Sequence, residues 1–202
     1  MPTNSPPPTT AATAGPPRLL PAGRNGDLSE SALVSLARDG DETAFEELVR
    51  RHQHHQFALA LRMVSQYQDA EDVIQDAFLH AWRSLPAFRG EASFGTWLTR
   101  IVLNQCHSHS RRPRLASLPS EEPISPAPDI EQVALVRGEH ELVQQALLEL
   151  PYDQRAALVL HVFAGHPYRE VARVMSITEN TAKVRVHRAR KALTDRLREW
   201  HE

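Results

Sequence analysis

Two groups of side chains in this 202-residue chain have the types and spacing to bind a polyanion. Towards the C-terminus, Lys183, Arg185, Arg188, Arg190, Lys191, Arg196 and Arg198 are opposed by only Asp195 and Glu199, while Ala182, Val186, Ala189, Leu193 and Leu197 recur at spacings of three and four. The apolar stripe must face a core, which leaves the other faces cationic. A helix with a packed back and a basic front is what a phosphate-lined groove requires. The second group is Arg100, Asn104, Ser108 and Arg111, at spacings of four, four and three, on one exposed helical face. Amide, hydroxyl and cationic groups together suit base edges and phosphates better than they suit a salt-bridged surface. Phe88, Phe94 and Trp97 lie close by, and aromatic rings beside a basic face can stack on unpaired bases.

Bond-making chemistry has no comparable signature. The chain has 11 histidines, with His52, His54 and His55 adjacent and His107 and His109 together, but no His-Glu-x-x-His arrangement and no nucleophile motif. The expectation is therefore no enzyme, no metal site and no cofactor. The single cysteine, Cys106, excludes an intrachain disulfide and a cysteine-based zinc site.

The elements that position these residues read as helices throughout, so the expected class is all-α. Prolines place the boundaries, clustering within positions 1–26 and again within 113–128. A helix interior tolerates proline badly, so 1–26 reads as a disordered tail and 113–128 as a flexible linker. Two helical domains remain, 27–112 and 129–202.

In the first domain, Asp27 and Glu30 have capping-box spacing, and Asp39-Gly40-Asp41 ends one helix and caps the next. Ala70, Val73, Ile74, Ala77, Phe78, Ala81, Trp82 and Leu85 fall at offsets 0, 3, 4, 7, 8, 11, 12 and 15, a buried face that Pro86 stops. The opposite face carries Glu71, Asp72, Gln75 and Asp76, which the pattern alone gives as solvated acid. A loop over 87–93 leads to a helix from about Phe94 to Arg111. In the second domain, helices are expected from Ile130 to Leu150 and from Asp153 to Phe163. A helix-turn-helix over about 168–188 follows, with Thr178 capping its second helix.

The formal net charge is −2, so nucleic-acid binding rests on where charge sits rather than on its total. Acids prevail early in each domain and bases in the last helix. No apolar run approaches the roughly 20 residues that span a bilayer, and the N-terminal stretch lacks signal-peptide features. A cytoplasmic bacterial protein without direct membrane insertion is expected.

The two domains together resemble the extracytoplasmic-function group of the sigma-70 family, small sigma factors of bacterial RNA polymerase with two domains on a linker. The resemblance covers nearly everything from Leu28 to Leu197. It rests on the run Asp69 to Phe78, on Phe88 to Leu98, on Leu150-Pro151, and on Tyr168 to Ala172 with Thr181 to Leu193. It implies region 2 at 27–112, which binds core polymerase and reads and melts the downstream (−10) element, and region 4 at 129–202, which reads the upstream (−35) element.

By this likeness Asp72, Gln75 and Asp76 dock on the polymerase, where complementary charge sets register and on-rate. Phe88, Arg89, Arg100, Asn104, Ser108 and Arg111 contact the downstream element. Thr181, Lys183, Val184, Arg185, His187 and Arg188 face the upstream element. The family commonly has Gly where this chain has Ser176, and a Ser where it has Val184, which favours a thymine methyl. The implied partners are core RNA polymerase, promoter DNA and an anti-sigma factor, often membrane-bound. A helix-turn-helix regulator acting without being a polymerase subunit would explain the C-terminal half equally well, but leaves the Arg100 to Ser108 face and the aromatic loop unexplained.

Overall fold

Short polar side chains set where the helices begin. The computed structural model describes residues 25–111 and 142–199; the Pro-rich N-terminal stretch, the linker and the first part of the helix expected from Ile130 lie outside the described residues. Helix α1 (Glu30–Arg38) is capped by Ser29, whose Oγ accepts from the Ala32 N–H at 3.2 Å. This corrects the cap expected at Asp27. The Leu28 N–H donates to the Asn25 carbonyl at 3.1 Å, which takes Asp27 into a turn. Helix α2 (Glu42–Val64) begins as expected, with Asp41 Oδ1 accepting from the Ala44 N–H at 3.0 Å. Gly40 takes φ +96°, a reversal open to a residue without Cβ.

Helix α3 (Tyr67–Ser84) buries Ala70, Val73, Ala77 and Ala81, and a 3₁₀ turn at Leu85–Ala87 ends it. Helix α4 (Phe94–Ser110) starts from Ser93, whose Oγ accepts from the Thr96 N–H at 3.2 Å. The C-terminal half contains a helical stretch at 142–149 (α5) and α6 (Tyr152–Leu158), which winds into a π-helical turn at Val159–Phe163. Helices α7 (Tyr168–Met175) and α8 (Glu179–Glu199) complete it. Among the described residues there is no strand, as the all-α reading requires.

Helix α4 packs against α2 and α3 on one side and α7 on the other. Leu98 and Val102 have no solvent exposure, and Gln56 Nε2 of α2 donates to Thr99 Oγ1 at 2.9 Å with both side chains buried. Glu47 closes the far end of α2. It accepts from Arg50 at 2.6 and 2.7 Å and from Arg51 at 2.7 Å, while Arg51 also holds the carbonyls of Gly26 and Leu28.

The sequence points to two small cores. The structure instead continues one apolar cluster from Leu98, Val102, Leu103 and Cys106 into Leu147, Leu158, Leu160 and Val171. Polar contacts accompany it. Tyr152 Oη donates to the Leu103 carbonyl at 2.6 Å, and Gln144 Nε2 donates to the Leu61 carbonyl at 2.9 Å. Burial pushes the Cys106 thiol up to about 12, so it stays protonated and unreactive there.

Two stability predictions follow from this core. Thr99→Val leaves the buried Gln56 amide without its partner and is expected to cost about 1–3 kcal/mol in denaturant unfolding, with Thr99→Ser recovering most of it. The Glu47 carboxyl is held at about 2, chiefly by the Arg50 hydrogen bond. Because its folded value is depressed, the stabilisation is present above the ordinary 4.5 and is lost as pH falls from there towards 2. Acid titration of the melting temperature is expected to show that loss in the native chain and a smaller one in Glu47→Gln.

Candidate nucleic-acid interface

The C-terminal surface is built from a strained turn and a capped helix. Helix α7 buries Val171, Ala172 and Val174 and ends at Ser176, which adopts the left-handed conformation at φ +55°, ψ +45°. The Ile177 N–H then reaches back to the Ala172 carbonyl at 3.0 Å, a helix ending that glycine usually supplies. Thr178 Oγ1 accepts from the Thr181 N–H at 3.1 Å and lies 2.8 Å from Thr181 Oγ1, so α8 starts where the sequence places it.

Ala182, Val186 and Ala189 are buried. Lys183, Val184, His187, Arg188 and Arg190 are exposed on the other side, and Thr181 and Arg185 are half-buried. Lys183 pairs with Glu179 at 2.8 Å and Arg185 with Asp153 at 2.8 Å. The exposed Lys183–Glu179 pair is of a kind that contributes about 0–1 kcal/mol, so a phosphate can displace it at little cost.

In the N-terminal half, Arg100, Asn104, Ser108 and Arg111 are all exposed on α4, as their spacing requires, and Arg89 is exposed in the preceding loop. Gly90 shapes that loop with φ +72°. Phe88 has a different place from the one expected. It is 9% exposed, with its ring centroid 5.0 Å from Trp97 and 6.3 Å from Phe94, and Phe94 lies 5.6 Å from Trp97. These rings pack edge-on and tilted against one another beneath the loop, where apolar burial outweighs presenting a face to solvent.

Asp72, Gln75 and Asp76 are exposed on α3. Beside them lies a feature that the sequence reading missed, an apolar groove of about 380 Å³ lined by Phe45, Phe78, Leu79 and Trp82 and edged by Glu42, Glu46 and Gln75. Leu79 is 47% exposed. Its signal was present in the sequence, since it lies off the buried stripe of α3 with no polar reason to do so.

The two candidate surfaces border one cleft. Arg100, Leu103, Asn104 and His107 of α4 form one wall of a cleft of about 280 Å³, and Met175, Ser176, Ile177 and Arg185 stand on the other. The neighbouring polar contact draws on the first turn of α7. Glu170 Oε1 accepts from Thr96 Oγ1 at 2.7 Å, and its Oε2 lies 3.2 Å from His166 Nδ1. The Thr96 hydrogen bond holds the Glu170 carboxyl below the usual carboxylate range, so it is charged at neutral pH. Of the adjacent histidines, His52 turns to Glu30 at 3.0 Å and His55 to the ring of His166. No helix among the described residues is long and apolar enough to cross a membrane.

Comparison with known proteins yields two family models. Sigma-70 region 2 matches residues 48–115, and Sigma-70, region 4 matches residues 140–193. The chain is 38% identical to the RNA polymerase sigma-H factor of Pseudomonas aeruginosa, over 81% of this chain and 91% of that protein. It is 37% identical to the ECF RNA polymerase sigma factor SigM of Mycobacterium tuberculosis, over 85% and 86% respectively. Among solved structures it is similar to CnrH in complex with the cytosolic domain of CnrY, with a TM-score of 0.67, 28% identity, and 84% of this chain and 97% of that one covered.

The left-handed Ser176 makes a direct prediction. Ser176→Gly removes a Cβ penalty of about 1 kcal/mol and is expected to stabilise the chain by that order in denaturant unfolding. Ser176→Val is expected to destabilise it.

Proposed function

The chain belongs to the extracytoplasmic-function group of the sigma-70 family, and on that premise we propose how its surfaces divide the work of starting transcription. It is a sigma factor: it binds bacterial core RNA polymerase and directs promoter-specific initiation, in a family whose members are not enzymes. We assign region 2 to residues 27–112 and region 4 to 129–202.

The reading rests above all on one observation, that a single chain carries two separate exposed faces with packed backs, on α4 and on α8. A plain helix-turn-helix regulator needs only the second. Asp72, Gln75 and Asp76 present acid and amide to a basic partner surface on the polymerase, and the groove edged by Glu42 and Glu46 adds apolar area to it. Arg89, Arg100, Asn104, Ser108 and Arg111 receive the downstream element. The rings of Phe88, Phe94 and Trp97 support that loop from below. A base taken out of its stack costs a few kcal/mol, which edge contacts from Asn104 and Arg100 offset.

Region 4 enters a major groove with α8. Thr181 lies in its first turn, Lys183, Arg185 and Arg188 meet phosphates and base edges, and His187 lies beside them. Val184 is 39% exposed and offers methyl groups rather than a hydroxyl, which suits a thymine methyl. The work is cytoplasmic, where polymerase and promoter DNA are. An anti-sigma factor is the expected regulator, by analogy with the sigma factor RpoE of Bartonella quintana, a similar structure solved with the anti-sigma factor NepR.

Core polymerase incubated with fragmented genomic DNA is expected to start new transcripts only when this protein is added, the starts sharing a two-part upstream motif. Arg188→Ala is expected to weaken all of them together. Val184→Ala is expected to relax preference at one upstream base pair by about fivefold, as losing a single base contact does. No new starts from active core and folded protein would sink the assignment.

A further inference from the structure

Lys183 and Arg185, both on the proposed reading helix, have carboxylate partners of different origin. Lys183 pairs with Glu179, four residues earlier on α8 itself, and its side chain is 52% exposed. Arg185 pairs with Asp153, in the first turn of α6, through Nη2 and Oδ2 at 2.8 Å, and its side chain is 26% exposed. A pair between two exposed groups on one helix shifts with its own side chains. A pair between two packed helices has its geometry set by the fold.

The support behind Asp153 is rigid. Helix α6 packs against α8, and Ala156 and Ala157 of the one share a buried cluster with Ala182, Val186 and Ala189 of the other. The N–H groups of Gln154 and Arg155 donate to the Pro151 carbonyl at 2.9 and 3.0 Å, and the buried Arg155 guanidinium donates to the Leu148 carbonyl at 3.2 Å. None of these contacts draws on the N-terminal half of the chain. On α8, Arg185 stands three residues before the exposed Arg188, so the two cations share a side of the helix. The ion pair occupies one end of the Arg185 guanidinium. A guanidinium carries five N–H donors in a rigid fork, so others are left for a phosphate or a base edge.

Resting on the reading of α8 as the helix that meets the upstream element, we propose that Asp153 is a positioning residue for that element and sets its specificity through Arg185. Its carboxylate fixes the guanidinium in one orientation. Two effects follow, and both favour the correct sequence. An arginine already held loses less conformational freedom when it meets the group that lies in its line, so the correct element gains. A carboxylate at its flank repels phosphates that approach in another register, and the held side chain cannot swing to meet them, so incorrect sequence loses. Asp153 thus lowers indiscriminate affinity and raises discrimination.

The test uses the full-length chain with core polymerase, a promoter mapped with the native protein, and the same promoter with its upstream element scrambled. The ratio of association constants gives the preference for the intact element, and their salt dependence gives the number of phosphates neutralised. Asp153→Asn is an isosteric change at a side chain that is 59% exposed. It is expected to cut the preference about fivefold, chiefly by raising affinity for the scrambled promoter, and to steepen the log–log salt slope there by about 0.9, one more phosphate. Asp153→Glu keeps the charge and is expected to recover most of the preference. With Arg185→Ala already in place, Asp153→Asn is expected to change neither quantity. Should Asp153→Asn fail to fold, Asp153→Ser removes the same charge and repeats the test. Native preference and slope in variants of native helical content would overturn the proposal, as would equal weakening on both promoters or a full effect of Asp153→Asn without Arg185. Failure of the sigma-factor reading has a different signature, since the native chain with active core then gives no starts that depend on an upstream element. Native starts with indifferent Asp153 variants count against the positioning role alone.

Discussion

Helix α4 must serve two faces with opposite requirements. Its back, through Leu98, Thr99 and Val102, has to be buried to hold α2 and α3. Its front, through Arg100, Asn104, Ser108 and Arg111, stays polar and exposed, as the nucleic-acid contact we propose for it requires. The sequence satisfies both by helical period alone, because residues three and four apart share a face. What the period does not decide is what lies over the front when no DNA is there. In this structure the other half of the same chain packs beside that front, at Thr96, Leu103 and His107, and leaves Arg100, Asn104, Ser108 and Arg111 exposed.

That arrangement depends on a few polar contacts placed around an apolar seam. A charged Glu170 shared between Thr96 and His166 sets the register of α7 on α4, and Tyr152 sets the approach of α6. Buried apolar area is non-directional, so such bonds choose one docking among many of similar area.

Much of the local structure was legible in sequence. The stripe on α3, the Asp39-Gly40-Asp41 junction and the Thr178 cap each follow from side-chain chemistry acting within one or two turns; Ala70, Val73, Ala77 and Ala81 are buried as expected, while Ile74, Phe78 and Trp82 on the same stripe are half-buried. The misreadings are also local and physical. Asp27 has the right spacing for a cap, but a turn closed by Leu28 claims it first. Phe88 looks like a stacking ring from its neighbours, yet Phe94 and Trp97 bury it. The π-helical turn at Val159–Phe163 sits inside a run of apolar residues whose period gives no warning of it. The packing of the two halves was beyond reach, since Thr96 and Glu170 are 74 positions apart and nothing in their local patterns joins them. The groove at Leu79 lay between these extremes, visible as one apolar residue on the wrong side of its helix.

The account stands on two proposed reading surfaces that border one cleft in the free chain and must separate to reach their elements. Energy transfer between dyes on Arg38→Cys and Lys191→Cys measures this directly, because both positions are exposed and the native Cys106 is buried. The account predicts high transfer in the free chain and almost none once core polymerase and promoter DNA are bound, the reading surfaces then lying roughly 85 Å apart. Equal transfer in the free chain and in the promoter complex would contradict it.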